Sequence, residues 1–512
     1  MLAQEFNVQT GNVTINGNEM ISKYQYFTQH VELGADGKVT VVPECKDFQF
    51  KTNTKVPRTG VLIVGLGGNN GTTLTAGVLA NKHKLSWESK RGIEHANYYG
   101  SLTQCATTYL GDDIKTGKQV VAPIKGLLPM VDPNDLIIGG WDISNLNMYD
   151  ATVRARVHEP TMYHQIEKEL RAIQPLPAVF DLSFVAPNQK DRADNILKGS
   201  KKEILQQVRD QIKKFKADNK LEQLIVLWSA NTERYCEVTD GVHDTAANLL
   251  KGIDEGHPEI SPSIIYAVAS ILEGVPYING SPQNTFVPGL IELAVQHKVP
   301  IMGDDFKTGQ TKFKTVLSDF LISSGLKLTA VVSYNHLGNN DGLNLSFERC
   351  FRSKQISKSS VIDDMVTLNP ILYKEDEHPD HVVVIKYVPS VGDSKRALDE
   401  YDSDIFCGGK NIISCHNTCE DSLLAAPLML DLIVLMELFT RVQIKGEKMT
   451  DFDSMHQVYS VLSFLLKAPR VPPGTPVINS LFNQRACLEN ILRACRGLQP
   501  INHMHLEYKM PQ

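Results

Sequence analysis

The chain has 512 residues, of which 42% are hydrophobic and 21% are charged, and its formal net charge is −6 at pH 7. This length exceeds one typical core and predicts two or more structural units in an ordinary globular protein. The negative charge argues against a nucleic-acid binder that works by bulk electrostatics. The nine scattered cysteines fit a reducing compartment better than a disulfide scaffold.

No targeting or membrane segment is expected. Residues 1–6 have neither a basic start nor an apolar core, so no signal peptide is predicted. The most hydrophobic stretch, 423–439, is interrupted by Pro427, Asp431 and Glu437, which indicates a buried helix that is too short and too charged to span a bilayer. We therefore expect a soluble, cytoplasmic protein.

The first elements of the chain change character near residue 59. Residues 1 to about 58 are polar and alternate weakly, as in 38–42, which predicts short strands and an arm that wraps another surface. From Gly60 onward, the apolar run 61–64 predicts a buried strand and 72–81 predicts a helix.

A glycine-asparagine run, GLGGNNG at 65–71, joins that strand to that helix. Glycines let the backbone approach a pyrophosphate, and a helix start supplies free N–H groups and the positive end of a dipole. The spacing departs from G-x-G-x-x-G, because Asn70 stands where the third glycine belongs and Gly71 follows it. The run predicts either a nucleotide loop or a merely glycine-rich turn.

A strand–helix rhythm continues to about residue 302. Predicted strands are 224–228, 275–278 and 299–302, and predicted helices are 201–216 (charged, with a solvated face), 263–273 and 288–297. Such alternation implies a parallel sheet with right-handed crossovers. Small or polar loops begin at four strand ends: Gly65, Ser229, Asn279 and Gly303. Ligands bind at the carboxyl ends of such strands, although these loops are commonly polar without a ligand.

The segment 303–311, GDDFKTGQT, joins a strand to another helix. The helix is indicated by apolar residues at helical spacing on one face, namely Phe313, Val316, Leu317, Phe320 and Leu321. Free amides at its start, beside Thr308, Gly309 and Gln310, can cradle a phosphate. Ordinary capping by Thr308 or Thr311 is the alternative.

After about residue 310, strands at 329–334 and 381–388 with long polar connections predict an α+β second domain. Its asparagine-rich segment 333–342, SYNHLGNNDG, suits polyol or phosphate binding, with a plain loop as the default alternative. Lys354 and Lys358 are four residues apart and would share a helix face. If they converge in a pocket, the pKa of one is lowered, as a lysine general base requires; two solvated lysines are the alternative.

Cys415, His416 and Cys419 lie close together in the sequence. One such group lacks the partners of a closed zinc site. No metal site is therefore predicted.

Several long motifs occur in a fixed order along the chain: GLGGNNG, SANTERY, NGSPQNTF, GDDFKTGQTK, SYNHLGNNDG, FRSKQISKSSVIDDM, VPSVGDSK and CEDSLLAAP. Together they resemble the myo-inositol-1-phosphate synthase family of the eukaryotic type. The resemblance extends from about residue 5 to the C-terminus and is weakest in the N-terminal arm.

The resemblance implies an isomerase that converts D-glucose 6-phosphate to 1D-myo-inositol 3-phosphate (1L-myo-inositol 1-phosphate), the first step of inositol and phosphoinositide biosynthesis. In this family NAD oxidises carbon 5, an enolate closes the ring on carbon 1, and the hydride returns, so the reaction is redox-neutral. Such chemistry needs a rigidly held nicotinamide, cationic acid–base groups and an anchored phosphate that lets the two ends of the sugar meet.

The resemblance also implies roles for individual residues. The implied catalytic set is Lys354, Lys358, Lys395, Lys467 and Asp305, with Lys354 as an acid–base group and Lys358 as a phosphate ligand. The implied phosphate cradle is Thr308 (a serine in the family), Gly309, Gln310, Asn339 and Lys358. The implied cofactor-binding residues are Gly65, Gly67, Gly68, Asn69, Asn70, Asp142, Ser183, Gln189, Arg192, Ala230, Asn231, Thr232, Gly280, Ser281, Asp305, Asn335, Asn340, Asp341, Asp393, Asp421 and Ser422. Asp142, as ribose acceptor, lies far beyond the roughly 20-residue offset of the standard fingerprint and rests on the resemblance alone.

The implied architecture is α/β. It comprises an N-terminal arm (1–58), a Rossmann-like parallel-sheet NAD-binding domain (59–311), an α+β catalytic and tetramerisation domain (312–423), and a C-terminal part (424–512) that returns to the NAD-binding domain. The implied partners are glucose 6-phosphate, NAD and three further copies of the chain, with no nucleic acid and no membrane.

Two alternatives remain open. A sugar-phosphate dehydrogenase would release NADH, but it needs one acid–base group rather than four lysines. A catalytically dead sensor of NAD or of a phosphosugar is expected to lack the lysines, and all four are present.

Overall fold

The computed structural model describes residues 1–511. The chain begins with three strands: β1 (Val13–Asn16), β2 (Glu19–Leu33) and β3 (Val39–Asn53). The expectation of short strands is wrong here, because β2 and β3 are 15 residues each and form one long antiparallel hairpin. The alternation in the sequence is weak because most of this ribbon is exposed on both faces, and only its base is buried.

The next part of the chain alternates strands with helices. Its elements are β4 (Thr59–Val64), α1 (Asn69–Lys82), β5 (Ser86–Ser89), β6 (Gly92–His95), α2 (Leu102–Cys105), β7 (Thr107–Asp112), β8 (Gln119–Pro123), β9 (Ile137–Asp142), α3 (Met148–Ala155), α4 (Pro160–Tyr163), α5 (Glu167–Ala172), β10 (Leu176–Pro177), α6 (Lys201–Asp218), β11 (Gln223–Trp228), α7 (Ala246–Asp254), α8 (Pro262–Leu272), β12 (Tyr277–Asn279), α9 (Pro288–His297) and β13 (Ile301–Met302).

Six of these strands form a parallel sheet in the order β10-β9-β4-β11-β12-β13. Counted within the sheet, that is the order 3-2-1-4-5-6 of a doubly wound dinucleotide-binding fold. The predicted Rossmann-like parallel sheet is confirmed. The strand order reverses between β4 and β11, and the crevice at their carboxyl ends is the expected ligand position.

The second unit is built on a mixed sheet. Its elements are α10 (Gly309–Ser323), β14 (Lys327–Leu337), α11 (Asn340–Asn344), α12 (Glu348–Ser359), α13 (Asp363–Thr367), β15 (Asp380–Tyr387), β16 (Ser394–Ile405) and β17 (Gly409–Glu420). The sheet order is β15-β14-β16-β17, with β14 and β15 parallel and the other pairs antiparallel. Helices packed on a mixed sheet are the α+β arrangement that the sequence predicts.

Helix α10 differs from the sequence prediction in the face that it buries. Of its apolar residues, Phe313 and Phe320 are 40% and 51% exposed. The buried face includes Leu321 of the predicted stripe but also carries the polar side chains of Lys314, Thr315 and Ser318. Only part of the predicted apolar stripe therefore lies on the outside of this chain, and polar side chains share its inner face.

The C-terminal elements are α14 (Asp421–Thr440), β18 (Val442–Gly446), β19 (Asp453–Ser454) and α15 (Leu481–Arg496). Strand β18 pairs with β3, which gives a five-stranded sheet in the order β1-β2-β3-β18-β19. Short 3-10 helices lie at Ile124–Gly126, Pro133–Asp135, His164–Ile166, Pro187–Arg192, Ser360–Ile362, Pro389–Val391, Phe406–Gly408, Ser460–Leu465 and Leu506–Tyr508.

Helix α14 is the central core helix. The expectation that this stretch is too short and too charged to span a bilayer is wrong, because α14 has 20 residues and could cross a membrane by length and composition. The expectation of a buried helix is confirmed, since 78% of its most apolar window is buried inside the fold. It packs against α1 in a core that also contains Val61 and Ile63 of β4. Leu62 and Val64 point to the opposite face of the sheet and join a second core with α6–α9. The two cores hold the parallel sheet between helical layers, as a doubly wound fold requires.

Candidate active site

One crevice runs along the carboxyl ends of the parallel strands and is closed by the second unit. Its walls come from the loops that follow β4, β9, β11, β12 and β13, together with parts of α11, α12, β16 and α14. Polar and charged side chains from both units therefore face one shared space.

The loop after β4 is shaped by glycines. Gly65 has φ +87°, and a Cβ there would lie 2.7 Å from the Cα of Ala230 on the neighbouring loop. Helix α1 starts at Asn69 behind Gly68, and no side chain caps it. Its first amides and the positive end of its dipole are left for an anion at the switch point.

Gly71 explains the irregular spacing of this run. A Cβ on Gly71 would lie 2.2 Å from the backbone oxygen of Leu66, so Gly71 permits the close approach of helix and strand that the third glycine of the fingerprint permits. Asn70, which occupies the earlier position, donates from Nδ2 to Ser229 Oγ at 3.2 Å. That bond ties the β4 loop to the β11 loop.

Asp142 ends β9, the strand beside β4. Its carboxylate accepts N–H bonds from Gly67 and Ser144, both at 2.9 Å, and burial raises its pKa. The second strand of the sheet is where the fingerprint places its acidic ribose acceptor. The sequence distance is long because the hairpins β5–β6 and β7–β8 are inserted between the first two sheet strands. The strand topology therefore gives a physical reason to place Asp142 at the ribose-acceptor position, a reason that the sequence spacing alone does not provide.

Amide side chains connect the two units around the crevice. Gln189 Oε1 accepts from Asn231 Nδ2 at 2.8 Å and from Asn340 Nδ2 at 2.9 Å. Asp341 accepts from the backbone N–H of Thr232 at 2.9 Å. These five residues, all of them predicted cofactor contacts, come together from three separate segments.

Three further predicted contacts form a cluster at the start of α14. The backbone N–H and the hydroxyl of Ser422 donate to Asp393 at 2.9 and 2.7 Å, and Asn69 Nδ2 donates to the same carboxylate at 3.2 Å. Burial, followed by the nearby charge of Asp421, raises the pKa of Asp393. Ser281 Oγ, from the β12 loop, donates to the carbonyl of Ala230 at 3.0 Å.

Asp305 is the centre of the charged part of the site. Its carboxylate contacts Lys354 Nζ at 3.0 Å and Lys467 Nζ at 2.9 Å, and it accepts from Ser357 Oγ at 2.7 Å. Burial acts to raise the pKa of Asp305, but the two lysines outweigh burial and hold the pKa below its ordinary value. The carboxylate is therefore ionised at neutral pH.

The two lysines on Asp305 differ in their pKa. Burial acts to lower the pKa of Lys354, but the charges of Asp305 and then Asp341 raise it above the ordinary value. Burial lowers the pKa of Lys467 to about 7, against the opposing charge of Asp305. One carboxylate therefore holds a charged lysine and a lysine that titrates near neutral pH.

Lys354 and Lys358 lie on α12, as the sequence predicts for a helical pair. Lys358 Nζ donates to Asn335 Oδ1 at 3.0 Å and to Gln310 Oε1 at 3.3 Å. Burial, and then the charge of Lys395, lower its pKa well below the ordinary value. Lys395 lies 3.7 Å from Asp421, so all four predicted lysines converge on the same region.

The phosphate cradle is only partly exposed to the crevice. Thr308 is the N-cap position of α10, makes no side-chain cap bond and lines the crevice, as does Asn339. Asn339 Oδ1 accepts from the N–H of Gly342 at 2.8 Å, which caps α11. Gly309, Gln310, Asn335 and Lys358 lie behind the lining residues rather than among them.

Ser183 lies away from this arrangement. It is exposed, and its hydroxyl donates to Asp181 at 2.7 Å. Asp181 lines the crevice and Ser183 does not. The geometry therefore favours Asp181 over Ser183 as the contact from this loop.

Three site residues were not identified from the sequence. Ser357 lies three residues after Lys354 on the same helix, and that spacing could have indicated it. Arg154 Nη2 donates to the carbonyl of Gly67 at 2.9 Å, and Asp399 accepts from Gln310. No local pattern distinguishes these last two from other charged residues.

No metal-binding cluster of three or more His, Cys, Asp or Glu side chains occurs in residues 1–511. Cys415 and Cys419 lie on one face of β17, and His416 lies on the other, because side chains alternate along a strand.

The residues present fit a bound dinucleotide. The uncapped start of α1 lies at the switch point beside Asp142, and Arg192, which lines the crevice, has a buried Nε without a partner among residues 1–511. The fold and the crevice define an NAD-dependent enzyme whose substrate pocket is lined with lysines.

Comparisons with known proteins identify the family. The family model for myo-inositol-1-phosphate synthase matches residues 59–493. An inositol-3-phosphate synthase 1 from Oryza sativa is 55% identical over 99% of this chain and 100% of its own length. A probable inositol 3-phosphate synthase isozyme 3 from Arabidopsis thaliana is also 55% identical, with the same coverage. The crystal structure of an inositol-3-phosphate synthase from Caenorhabditis elegans matches with a TM-score of 0.97 at 50% identity, over 99% of both chains. This chain belongs to the myo-inositol-1-phosphate synthase family.

Proposed function

We propose that this chain converts D-glucose 6-phosphate to 1D-myo-inositol 3-phosphate, with one bound NAD that is reduced and reoxidised in the same cycle. The observation that carries the proposal is the Asp305 cluster, in which two lysines of different pKa share one carboxylate at the strand ends of a dinucleotide crevice. The names of the relatives, inositol-3-phosphate synthases, support the same reaction.

When bound, NAD supplies a hydride acceptor and later a hydride donor. Lys467, with a pKa of about 7, can accept a proton at neutral pH. Lys354 stays charged beside Asp305 and can stabilise an enolate oxygen. Lys358, together with the α10 N-terminus at Thr308, can anchor the phosphate, and Lys395 adds a further cation near the sugar.

We also propose the cofactor contacts and the domain division that the resemblance implies. The loop at Gly65–Asn70 would hold the pyrophosphate, and Asp142 would accept a ribose hydroxyl. The division into 1–58, 59–311, 312–423 and 424–512 is supported by the three larger sheets, which are separate, and by the pairing of β18 with β3.

A homotetramer is supported by the outer face of the mixed sheet. Tyr334, Val382, Leu398 and Ile412 come from its four strands, are 44–60% exposed and lie on one face by strand register. Exposed apolar side chains gathered on one sheet face are typical of a protein–protein contact. The nine unpaired thiols support a cytoplasmic location, where the product would serve phosphoinositide synthesis.

The test is to incubate the protein with glucose 6-phosphate and NAD and to measure inositol phosphate and NADH separately. Inositol phosphate without accumulating NADH is expected. Steady NADH release in proportion to the substrate consumed would instead indicate a dehydrogenase. Lys354→Ala should abolish turnover and leave NAD binding nearly unchanged, whereas Lys202→Ala, which removes an exposed lysine paired with Asp254, should leave both unchanged.

A further inference from the structure

A buried polar cluster lies behind the pocket, on the inner face of the mixed sheet. Asp399 of β16 is 2% exposed and Gln310 of α10 is 4% exposed. Gln310 Nε2 donates to both carboxylate oxygens of Asp399, at 2.9 and 3.1 Å. Asp399 does not line the crevice, so it can influence a ligand there only through its neighbours.

The carboxylate fixes the orientation of the Gln310 amide. Both oxygens of the carboxylate accept from Gln310 Nε2, so the NH₂ end of the amide faces Asp399. The other end, Oε1, is then turned toward Lys358, whose Nζ donates to it at 3.3 Å. The side chain of Gln310 therefore acts on the lysine and does not itself present a donor to the pocket.

Lys358 is held in the same way on its other side. Its Nζ donates to Asn335 Oδ1 at 3.0 Å, and Asn335 Nδ2 in turn donates to the carbonyl of Val384 at 3.2 Å. When Lys358 is protonated, as a bound phosphate dianion favours, two oriented amide oxygens take two of its three N–H donors. The third donor remains for a ligand.

The charges around this cluster favour the arrangement. Lys314 also faces Asp399, and its Nζ contacts His381 Nε2 at 2.9 Å. Lys395, Lys467 and Lys354 are the other cations near Lys358. Asp399 therefore has two partners in this cluster, the Lys314 side chain and the Gln310 amide.

We propose that Asp399 is a positioning residue for the phosphate-binding lysine: by fixing the Gln310 amide, it aims the third N–H of Lys358 at the substrate phosphate. The proposal rests on the proposed function, because that function makes Lys358 a phosphate ligand.

Asp399→Asn tests the proposal without changing side-chain size. The new amide can donate to Gln310, which allows the Gln310 amide to turn its NH₂ toward Lys358. We expect glucitol 6-phosphate, measured by calorimetry with NAD bound, to bind about tenfold more weakly, since one hydrogen bond to a charged group is lost. NAD affinity should stay within about twofold, and the rise in KM for glucose 6-phosphate should exceed the fall in kcat. Asp254→Asn, which removes an exposed carboxylate, is the matched control.

A double-mutant cycle separates positioning from a general structural effect. If Asp399 acts through Gln310, Asp399→Asn should add almost nothing to the weakened glucitol 6-phosphate binding of Gln310→Ala. Equal losses in both backgrounds would overturn the proposal, as would unchanged binding by the single variant. Failure of the unmodified protein to bind glucitol 6-phosphate would overturn the proposed function as well, so the two failures are distinguishable.

Discussion

Replacing Asp305 with asparagine should make the stability of the protein depend steeply on pH. In the intact site the carboxylate is the shared partner of Lys354 and Lys467 at 3.0 and 2.9 Å. Asp305→Asn keeps the shape and removes the charge. Breaking a buried ion pair by removing one partner costs about 3–5 kcal/mol, but a lysine can reduce that cost by releasing its proton.

The size of the pH effect follows from Lys354. In the intact protein its folded pKa is raised above the ordinary value, so its stabilising contribution is fully present below the unfolded pKa and is lost only as pH rises through the folded pKa. Without Asp305, burial lowers the folded pKa below the unfolded value. The variant then loses about 1.4 kcal/mol for each pH unit of decrease, until its own folded pKa is reached. The pKa of Lys467 is already lowered to about 7 in the intact protein. Above that pH, Lys467 therefore gives nearly the same pH dependence of the unfolding free energy in both proteins, and this dependence largely cancels from their difference.

The assay is urea unfolding of both proteins at pH 9 and pH 6, at equal protein concentration because the proposed homotetramer would contribute to stability. We expect the free-energy difference between intact protein and variant to be larger at pH 6 by at least about 1.4 kcal/mol. Glu259→Gln is the matched control, since Glu259 pairs with Arg234 at 2.8 Å, that pairing lowers its pKa below the ordinary value, and a guanidinium does not deprotonate. Its cost should be the same at both pH values. Equal costs for Asp305→Asn at pH 6 and pH 9 would refute the reasoning.

Three further substitutions test the fold and the binding surfaces. Gly71→Ala places a Cβ 2.2 Å from a backbone oxygen and should lower the unfolding free energy, measured by calorimetry, by about 1–3 kcal/mol. Gly77→Ala on the same helix has nothing within 4 Å of its Cβ and should leave the unfolding free energy unchanged or raise it. Asp142→Ala should raise the KM for NAD about tenfold and leave the KM for glucose 6-phosphate unchanged; the reverse result in steady-state kinetics would remove Asp142 from the cofactor site. Leu398→Glu should convert the proposed homotetramer into smaller species in sedimentation velocity, and an unchanged sedimentation coefficient would exclude the outer sheet face as an interface.

The parallel sheet could be predicted from the sequence because its elements carry strong local signals. Strand β11 (Gln223–Trp228) is a continuous apolar run with both faces buried, as parallel strands are. Helix α9 (Pro288–His297) matches its predicted bounds, because proline at the first helical position marks its start. These signals depend only on neighbouring residues.

The second unit was less predictable because its surroundings decide which face is buried. On α10 the apolar residues Phe313 and Phe320 are exposed and the charged Lys314 is buried. Hydrophobic periodicity finds the helix correctly, but it assumes that the apolar face turns inward. That assumption holds for Leu321 but fails at Phe313 and Phe320, because the inner face of this helix also carries polar side chains such as Gln310 and Lys314.

The convergence of the site could not be predicted from spacing at all. Asp305 and Lys467 are 162 residues apart. They meet because the segment after the 3-10 helix Ser460–Leu465 runs antiparallel to the loop after β13, where Phe306 forms a β-bridge with Leu466. The long motifs supplied these residues through family resemblance. Only the fold supplies the physical reason for their contact.

One carboxylate shared by two lysines is a simple way to obtain a charged acid and a neutral base from two residues of the same type. Two isolated buried lysines would both tend to be neutral, because burial disfavours each charge. Asp305 can fully compensate only one of them, and the charge that it stabilises on Lys354 acts against a second charge on Lys467. The pair therefore keeps different protonation states near neutral pH, as a reaction needs when it both removes a proton and stabilises the resulting anion. Ser357, which holds the same carboxylate at 2.7 Å, keeps Asp305 in the position that maintains this difference.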